Sequence, residues 1–351
     1  MAFVRVLMVD DSAVARRIIA RALARCAQIE IASTAVSGEQ ALAQLPHVAA
    51  DVVLLDVEMN GMSGIEALVK IRKSFPHVKV LMFSSLTEQG ARTTLEAMAA
   101  GASDYVAKPS RESGRSIEDV VAEAVVPRIL ALATAEPRRP SETALRVAPA
   151  TPGDMAPQII AIAASTGGPV AVEAVLKALP SGFGVPIVVV QHMPPVFTSA
   201  FAERLAKSCR VRVREAAGGE RLEAGDVWIA PGGRHMSVNR DGTLALSDGP
   251  GENGVRPAAD VLFRSLAPVY GRGVLAVVLT GIGQDGARGA EAIAAAGGQV
   301  ITQDQATSTV WSMPRAVIEL GISRGTFAIG EIAGEIVRRA ARRGNAVAAR
   351  R

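Results

Sequence analysis

Aromatic side chains are scarce in this chain of 351 residues, where Phe, Tyr and Trp together make up 3%. That leaves few platforms for base stacking and disfavours single-strand nucleic-acid binding. Excess charge is equally thin. Lys and Arg number 38 against 34 Asp and Glu, a formal +4. Part of that excess sits in the Arg-rich tail from Arg338 to Arg351, so no basic stripe marks a nucleic-acid footprint and no such partner is expected. Cys26 and Cys209 are far apart and outside any Cys-x-x-Cys spacing, which suggests neither a disulfide framework nor a zinc site. No apolar run approaches the roughly 18–20 residues of a membrane span, so no direct membrane insertion is expected. The start passes from Met1 almost directly into the strand-like Phe3–Val9, without the leader and cleavage site of a signal peptide. A cytoplasmic location is the simplest expectation.

What is plentiful is apolar sequence, 49% of the chain, at a length that suggests about two domains. Between residues 133 and 156 the periodicity lapses, and Pro137, Pro140, Pro149 and Pro152 crowd together with Pro157 just beyond, as in an extended linker. The expected organisation is a first domain over 1–125, a linker over 126–156 and a second domain over 157–345. Short β-branched runs alternate with helical patterns on both sides. Strands are expected at Val4–Val9, Ile29–Ala35, Val52–Leu55, Lys79–Phe83 and Tyr105–Val106. In the second part they are expected at Gln158–Ala163, Pro186–Gln191, Val227–Ile229, Val274–Leu279 and Gln299–Ile301. Such alternation predicts α/β architecture, two doubly wound parallel-sheet domains joined by a linker. Ligands of such sheets collect at the carboxyl ends of the strands.

In the first domain those ends carry Asp10-Asp11, Asp56, Ser84-Ser85 and Lys108-Pro109. Three carboxylates in one pocket repel one another unless a hard cation lies between them, and Mg²⁺ suits such an oxygen set. A nearby lysine and hydroxyl fit a group that gains and loses phosphoryl oxygens. Singly, each acid could be a loop residue or helix cap, as Asp11 and Ser12 could be for the following helix. Five such groups at successive strand ends favour the pocket.

The second domain opens with Ile159–Ala164, then Ser165-Thr166-Gly167-Gly168-Pro169 and a helical pattern from Val170 to Ala178. A serine at the tip of a buried strand, before a helix start, is placed as a nucleophile beside N–H groups that favour an oxyanion. The plainer alternative is a serine that only caps the helix. A serine needs a base, and only His192 and His235 of the four histidines fall in this domain. His192 follows the strand Pro186–Gln191 and shares a sheet edge with Ser165; His235, expected in a loop, is the other candidate. Asp285, after the strand Val274–Leu279, can orient the imidazole. Asp260 is the alternative acid, expected as a surface or capping group. Gly281-Ile282-Gly283-Gln284-Asp285-Gly286 also matches a dinucleotide-binding loop, with Asp304 downstream. A carboxylate at Asp285, beside the place of a pyrophosphate, weighs against that reading.

Residues 3–125 resemble a response-regulator receiver domain, with Asp10-Asp11, Asp56, Ser84 and Lys108-Pro109 in register. The resemblance implies a flavodoxin-like fold in which Asp56 accepts the phosphoryl group. It also implies Mg²⁺ held by Asp10, Asp11, Asp56 and the Glu58 carbonyl, with Ser84 sensing the phosphate, Lys108 pairing with it and Tyr105 relaying the change. Asn60 stands where the receiver pattern usually has proline. Residues 157–345 resemble the catalytic domain of the chemotaxis protein-glutamate methylesterases, the CheB family. The matching stretches are Ala164–Pro169, Gln191–Pro194, Ile229–His235, Arg256–Phe263, Thr280–Gly286 and Ser312–Pro314. This second resemblance implies a Rossmann-like serine hydrolase without a cofactor in its esterase site. Its triad would be Ser165, His192 and Asp285, and backbone N–H groups of Thr166 and Ile282 would form the oxyanion site. Ile282 and Gln284 replace the family's usual methionine and asparagine. Together the two resemblances imply a phosphorylation-activated protein-glutamate methylesterase and protein-glutamine deamidase. Its implied partners are chemoreceptor cytoplasmic domains as substrate and a chemotaxis-type histidine kinase as phosphodonor.

Overall fold

The computed structural model describes residues 3–108, 116–134 and 155–341. It divides into two compact units, Met1–Glu136 and Pro137–Arg351. No helix among the described residues is long and apolar enough to cross a membrane.

The first unit runs β1 (Val4–Val9), α1 (Ala13–Leu23), β2 (Ile29–Ala35), α2 (Gly38–Gln44) and β3 (Val52–Asp56). It continues with α3 (Gly64–Ser74), β4 (Lys79–Ser84), α4 (Glu88–Ala99), β5 (Asp104–Ala107) and α5 (Ile117–Thr134). Its five parallel strands lie in the order β2-β1-β3-β4-β5. β3 is buried along its whole length, as a strand covered by helices on both faces must be. Hydroxyl caps start the helices. Ser12, Ser37, Ser63 and Thr87 each accept a first-turn N–H, each such cap contributing about 1 kcal/mol. Ser12 therefore takes the capping role at α1 and leaves Asp10 and Asp11 for other work. α5 carries the unit past the boundary expected at 125. Its buried stripe of Val121, Val125, Ile129 and Leu132 continues through Pro127, so packing outweighs the hydrogen bond that the proline forfeits. Residues 126–134 are thus helix rather than linker, and 135–154 lie outside the described residues, as does Pro109.

The second unit runs β6 (Ile159–Ala164), α6 (Gly168–Lys177), β7 (Ile187–Gln191), α7 (Pro195–Ser208), β8 (Arg212–Glu215) and β9 (Asp226–Ile229). A hairpin of β10 (His235–Val238) and β11 (Leu244–Ser247) follows. The chain then forms α8 (Ala259–Tyr270), β12 (Val274–Val278), α9 (Ala287–Ala295), β13 (Gln299–Gln303), α10 (Ser312–Glu319), β14 (Thr326–Phe327) and α11 (Ile329–Ala340). Seven parallel strands lie in the order β14-β13-β12-β6-β7-β9-β8. From β6 the chain builds outward through β7 to one edge, then returns to lay β12 on the other side of β6. The carboxyl ends of β6 and β12 therefore flank the switch point, where a crevice opens. Both strands are fully buried. The hairpin seats Met236, Val238 and Leu244 in the core beside Leu262 and Phe263 of α8. His235 thus begins a strand rather than lying in a loop.

Candidate active site and phospho-acceptor site

The registration of β6 against β7 pairs Ala164 with Gln191, so the next residues on each strand, Ser165 and His192, leave the sheet side by side. The His192 N–H donates to the Ala164 carbonyl at 3.1 Å and the Ser165 N–H to the Thr280 carbonyl at 3.0 Å. These bonds tie the ends of β6, β7 and β12 together. Gln191 adds a clamp. Its buried Nε2 donates to the carbonyl of Ser165 at 2.9 Å and to that of His192 at 3.3 Å.

Ser165 does not cap α6. The N-cap is Gly167, at φ +74°, and no side chain caps the helix. A Cβ on Gly167 would lie 2.3 Å from Thr309 Oγ1, so the tight turn needs glycine for both space and conformation. The Gly168 N–H donates to the Ser165 carbonyl at 2.7 Å and Pro169 has none to offer, so α6 brings to Ser165 the positive end of its dipole, which favours developing negative charge. Thr280 Oγ1 donates to the Thr166 carbonyl at 2.9 Å and fixes that peptide. Across the crevice, the Gly281 N–H goes to Val310 O and the Gly283 N–H to Ser312 Oγ. Of these three consecutive N–H groups, that of Ile282 alone is not so engaged among the described residues.

His192 Nε2 and Asp285 Oδ2 are 2.8 Å apart. With Nε2 held there, the imidazole has Nδ1 to offer Ser165. Asp285 also accepts the Ala259 N–H on Oδ2 at 2.6 Å, the Asp260 N–H on Oδ1 at 3.1 Å and Asn253 Nδ2 on Oδ1 at 2.9 Å. Burial pushes this carboxyl up, but the hydrogen bonds from His192 and the two backbone N–H groups outweigh it and hold the group below the ordinary range. Asp285 is in effect the cap of α8, whose N-cap residue, Ala258, supplies none.

Neither alternative candidate is placed for the chemistry. His235 is saturated. Its Nδ1 accepts the Ala258 N–H at 3.2 Å, so Nε2 carries the proton and donates to Pro250 O at 2.9 Å. Asp260 is 1% exposed rather than on the surface. It accepts the Gly289 N–H at 2.7 Å and thereby caps α9. The capping expectation thus holds for Asp260, and the surface one does not.

In the first unit, one oxygen from each of Asp10, Asp11 and Asp56 lies within 4.8 Å of the others. Asp10 Oδ2 is buried without a hydrogen-bond partner, and Lys108 Nζ stands 2.7 Å from Asp56 and 3.6 Å from Asp10. A buried carboxylate oxygen that makes no hydrogen bond, among three acids, fits a hard divalent cation. Burial raises the Asp56 carboxyl to about 6 against the pull of Lys108. Ser84 follows Phe83, which pairs with Asp56, and its hydroxyl is turned to the Gly90 carbonyl at 3.1 Å. Tyr105 is buried in β5. The Glu58 N–H donates to Asp56 Oδ1 at 3.3 Å, while its carboxylate accepts from Ser85.

Comparison with known proteins decides the family. A family model described as CheB methylesterase matches residues 160–336, and one described as response regulator receiver domain matches residues 6–116. The chain belongs to the CheB methylesterase family. A relative from Trichodesmium erythraeum, named protein-glutamate methylesterase/protein-glutamine glutaminase, is 41% identical over 95% of this chain and 98% of its own. One of the same name from a Nocardioides species is 45% identical over 97% and 96%. The solved catalytic domain of Thermotoga maritima CheB methylesterase superposes with a TM-score of 0.51 at 38% identity. It covers 52% of this chain and 98% of that one. Like other CheB proteins, then, the chain is a hydrolase with a receiver domain ahead of it.

Three polar residues of these two separate sites went unassigned in the sequence. Gln191 sits inside a matching stretch, but its clamp depends on a side-chain direction that spacing does not give. Asn60, at the usual proline position, donates to Asp11 Oδ2 through both its backbone N–H and its side chain, at 3.2 and 2.8 Å. Asn253 carried one signal, the turn-forming Asn-Gly pair it makes with Gly254.

Proposed function

We propose that the second unit hydrolyses methyl esters of glutamyl side chains on chemoreceptor cytoplasmic domains, and deamidates glutamines there, by a Ser165–His192–Asp285 acyl-enzyme mechanism. The observation that carries this reading is the 2.8 Å contact between His192 and Asp285, made where His192 adjoins Ser165 at the switch point. Ser165 Oγ attacks the ester carbonyl carbon while its proton passes to His192 Nδ1. Asp285, kept anionic by its four hydrogen bonds, stabilises the imidazolium through Nε2. The carbonyl oxygen becomes an oxyanion held by the N–H groups of Thr166 and Ile282. As the intermediate collapses, the C–O bond to the methoxy group breaks and Nδ1 returns the proton, releasing methanol. Water then attacks the acyl-serine by the same route, leaving a carboxylate and free Ser165. With a glutamine substrate, ammonia leaves in place of methanol.

In the first unit, Asp56 accepts a phosphoryl group from a chemotaxis-type histidine kinase, and its modification raises the hydrolase activity. Asp10, Asp11 and Asp56 would hold Mg²⁺, with the Glu58 carbonyl completing the set, and the cation would offset charge on the incoming phosphoryl oxygens. Lys108, already 2.7 Å from Asp56, pairs with the phosphate. Ser84 and Tyr105 respond to it, Ser84 by giving up its bond to Gly90.

The test is methanol release from a methylated chemoreceptor cytoplasmic fragment, with and without a small phosphodonor and Mg²⁺. Release should rise with the phosphodonor, lose that rise in Asp56→Asn and disappear in Ser165→Ala. Undiminished release from folded Ser165→Ala protein would end the acyl-enzyme reading.

A further inference from the structure

Two helices of the second unit are capped by each other's acids. Asp285, just ahead of α9, accepts first-turn N–H groups of α8, and Asp260, in the first turn of α8, accepts the N–H of Gly289 in α9. This exchange brings two buried carboxylates together. Asp285 is 2% exposed and Asp260 1%. One nitrogen lies between them. Asn253 Nδ2 stands 2.9 Å from Asp260 Oδ2 and 2.9 Å from Asp285 Oδ1, so its two protons serve one acid each.

The neighbouring charges do not replace that bridge. His192 meets only the far oxygen, Oδ2, of Asp285. Glu252 and Arg264 face the pair but are bonded to each other. His235 has both nitrogens committed. Burial pushes the Asp260 carboxyl up, and the charge of Asp285 and that of Glu252 add to the effect. Of two buried carboxylates that face each other, one is driven to keep its proton unless donors offset the repulsion.

The backbone is built to present the bridge. Asn253 is at φ +56°, the one non-glycine residue with positive φ among those described, and Gly254 follows at +76°. Glu252 and Val255 exchange backbone hydrogen bonds around them at 3.1 and 3.0 Å. Asn-Gly suits such a two-residue turn, and glycine or aspartate at 253 would preserve it. Turn and side chain can therefore be tested apart.

We propose that Asn253 is a positioning residue of the hydrolase site: its amide, donating to both acids, keeps Asp285 and Asp260 ionised together and so keeps Asp285 aimed at His192. The inference rests on the Ser165–His192–Asp285 reading. It assigns Asn253 no contact with substrate.

The experiment uses the full chain with Mg²⁺ and phosphodonor, following methanol release from the methylated receptor fragment as a function of pH. Asn253→Gly should lower kcat by about 10- to 100-fold, the worth of one hydrogen bond to a charged group, with KM within about twofold. The acid side of its pH profile should move to higher pH and steepen from one proton to two, because the pair must lose its proton before Asp285 can serve His192. Asn253→Asp, which crowds a third carboxylate into the site, should lose more. Adding Asp260→Asn to Asn253→Gly removes one charge of the pair and should return the acid limb toward wild type. An Asn253→Gly enzyme with normal kcat would overturn the proposal. So would a loss of rate with an unmoved acid limb, or a limb that Asp260→Asn does not restore. Ser165→Ala is run beside them. If it retains release, the triad reading itself has failed, an outcome distinct from failure of the Asn253 bridge alone.

Discussion

Gly281 lies so close to Ser165 that a Cβ built on it would stand 2.8 Å from the Ser165 Cβ and 2.1 Å from Met313 Sδ. The loop after β12 is thereby pressed against Ser165, which brings the Ile282 N–H within the same crevice. Met313 is flexible and can swing aside. Ser165 is pinned by Thr280 and Gln191 and cannot. Gly281→Ala should therefore lower kcat by about tenfold or more and destabilise the second unit by about 1–3 kcal/mol, as overpacking does. Methanol release and a thermal melt read the two effects, and a variant with normal turnover would show that the loop is not held against Ser165.

Asp285→Asn should be far more damaging to rate. An amide in that place presents N–H to the imidazole or turns its oxygen away from α8, so His192 loses its partner or its tautomer. A loss of about 10³–10⁴-fold in kcat is expected, the scale seen when a triad acid is made neutral. The N–H groups of Ala259 and Asp260 also lose an anion, for about 1–2 kcal/mol of stability. Ser165→Ala should abolish turnover yet leave the melting temperature near wild type.

Replacement of His235 should show the reverse. His235→Leu strands the buried Ala258 N–H and the Pro250 carbonyl, at a cost of about 1–3 kcal/mol. Turnover per folded molecule should change only a few-fold, whereas His192→Ala should lose several orders of magnitude. A collapse of turnover in well-folded His235→Leu would reopen the choice of base.

For Asp56 the sign of the pH effect follows from its raised carboxyl. A group near 6 when folded and 3.8 when unfolded binds its proton more tightly in the native state. The stability it contributes is present below about pH 4 and is lost as pH rises through about 6. A shift of that size, with the pull of Lys108 already in it, corresponds to about 3 kcal/mol. Asp56→Asn should thus stabilise the first unit by about 1–3 kcal/mol at pH 7.5 and by little at pH 4. Equal stability of the two proteins at pH 7.5 in denaturant unfolding would contradict the raised value.

Much of the second unit was legible because its chemistry sits on continuous apolar strands. Ile159–Ala164 and Val274–Val278 are buried throughout, and runs of that kind announce both the sheet and the position of its carboxyl ends. Ser165, His192 and Asp285 follow such runs. What the sequence did not disclose depends on edges and on side-chain direction. β8, Arg212–Glu215, fully buries only Val213 and carries no strong periodicity. The hairpin at His235–Ser247 begins with a histidine that looked like a loop residue. Asp260 resembled an exposed helical acid because nothing local reveals that α9 docks its N-terminus there. The extent of α5 was obscured by Pro127, since a proline marks a boundary unless packing carries the helix past it. Ser84 ends β4 and Lys108 follows β5, positions that apolar runs announce, but the turn of the Ser84 hydroxyl toward Gly90 is a matter of rotamer.

The capping of α8 by Asp285 has a consequence for how this sequence can drift over generations. Active-site groups commonly weaken the fold that carries them, so a lineage that abandons the chemistry gains stability by discarding them. Here Asp285, the acid proposed to orient His192, also completes a helix. A descendant could lose Ser165 at no cost to folding, but it would still be selected to keep Asp285. An intact acid beside a vanished serine would then be the mark of a scaffold that had outlived its catalysis.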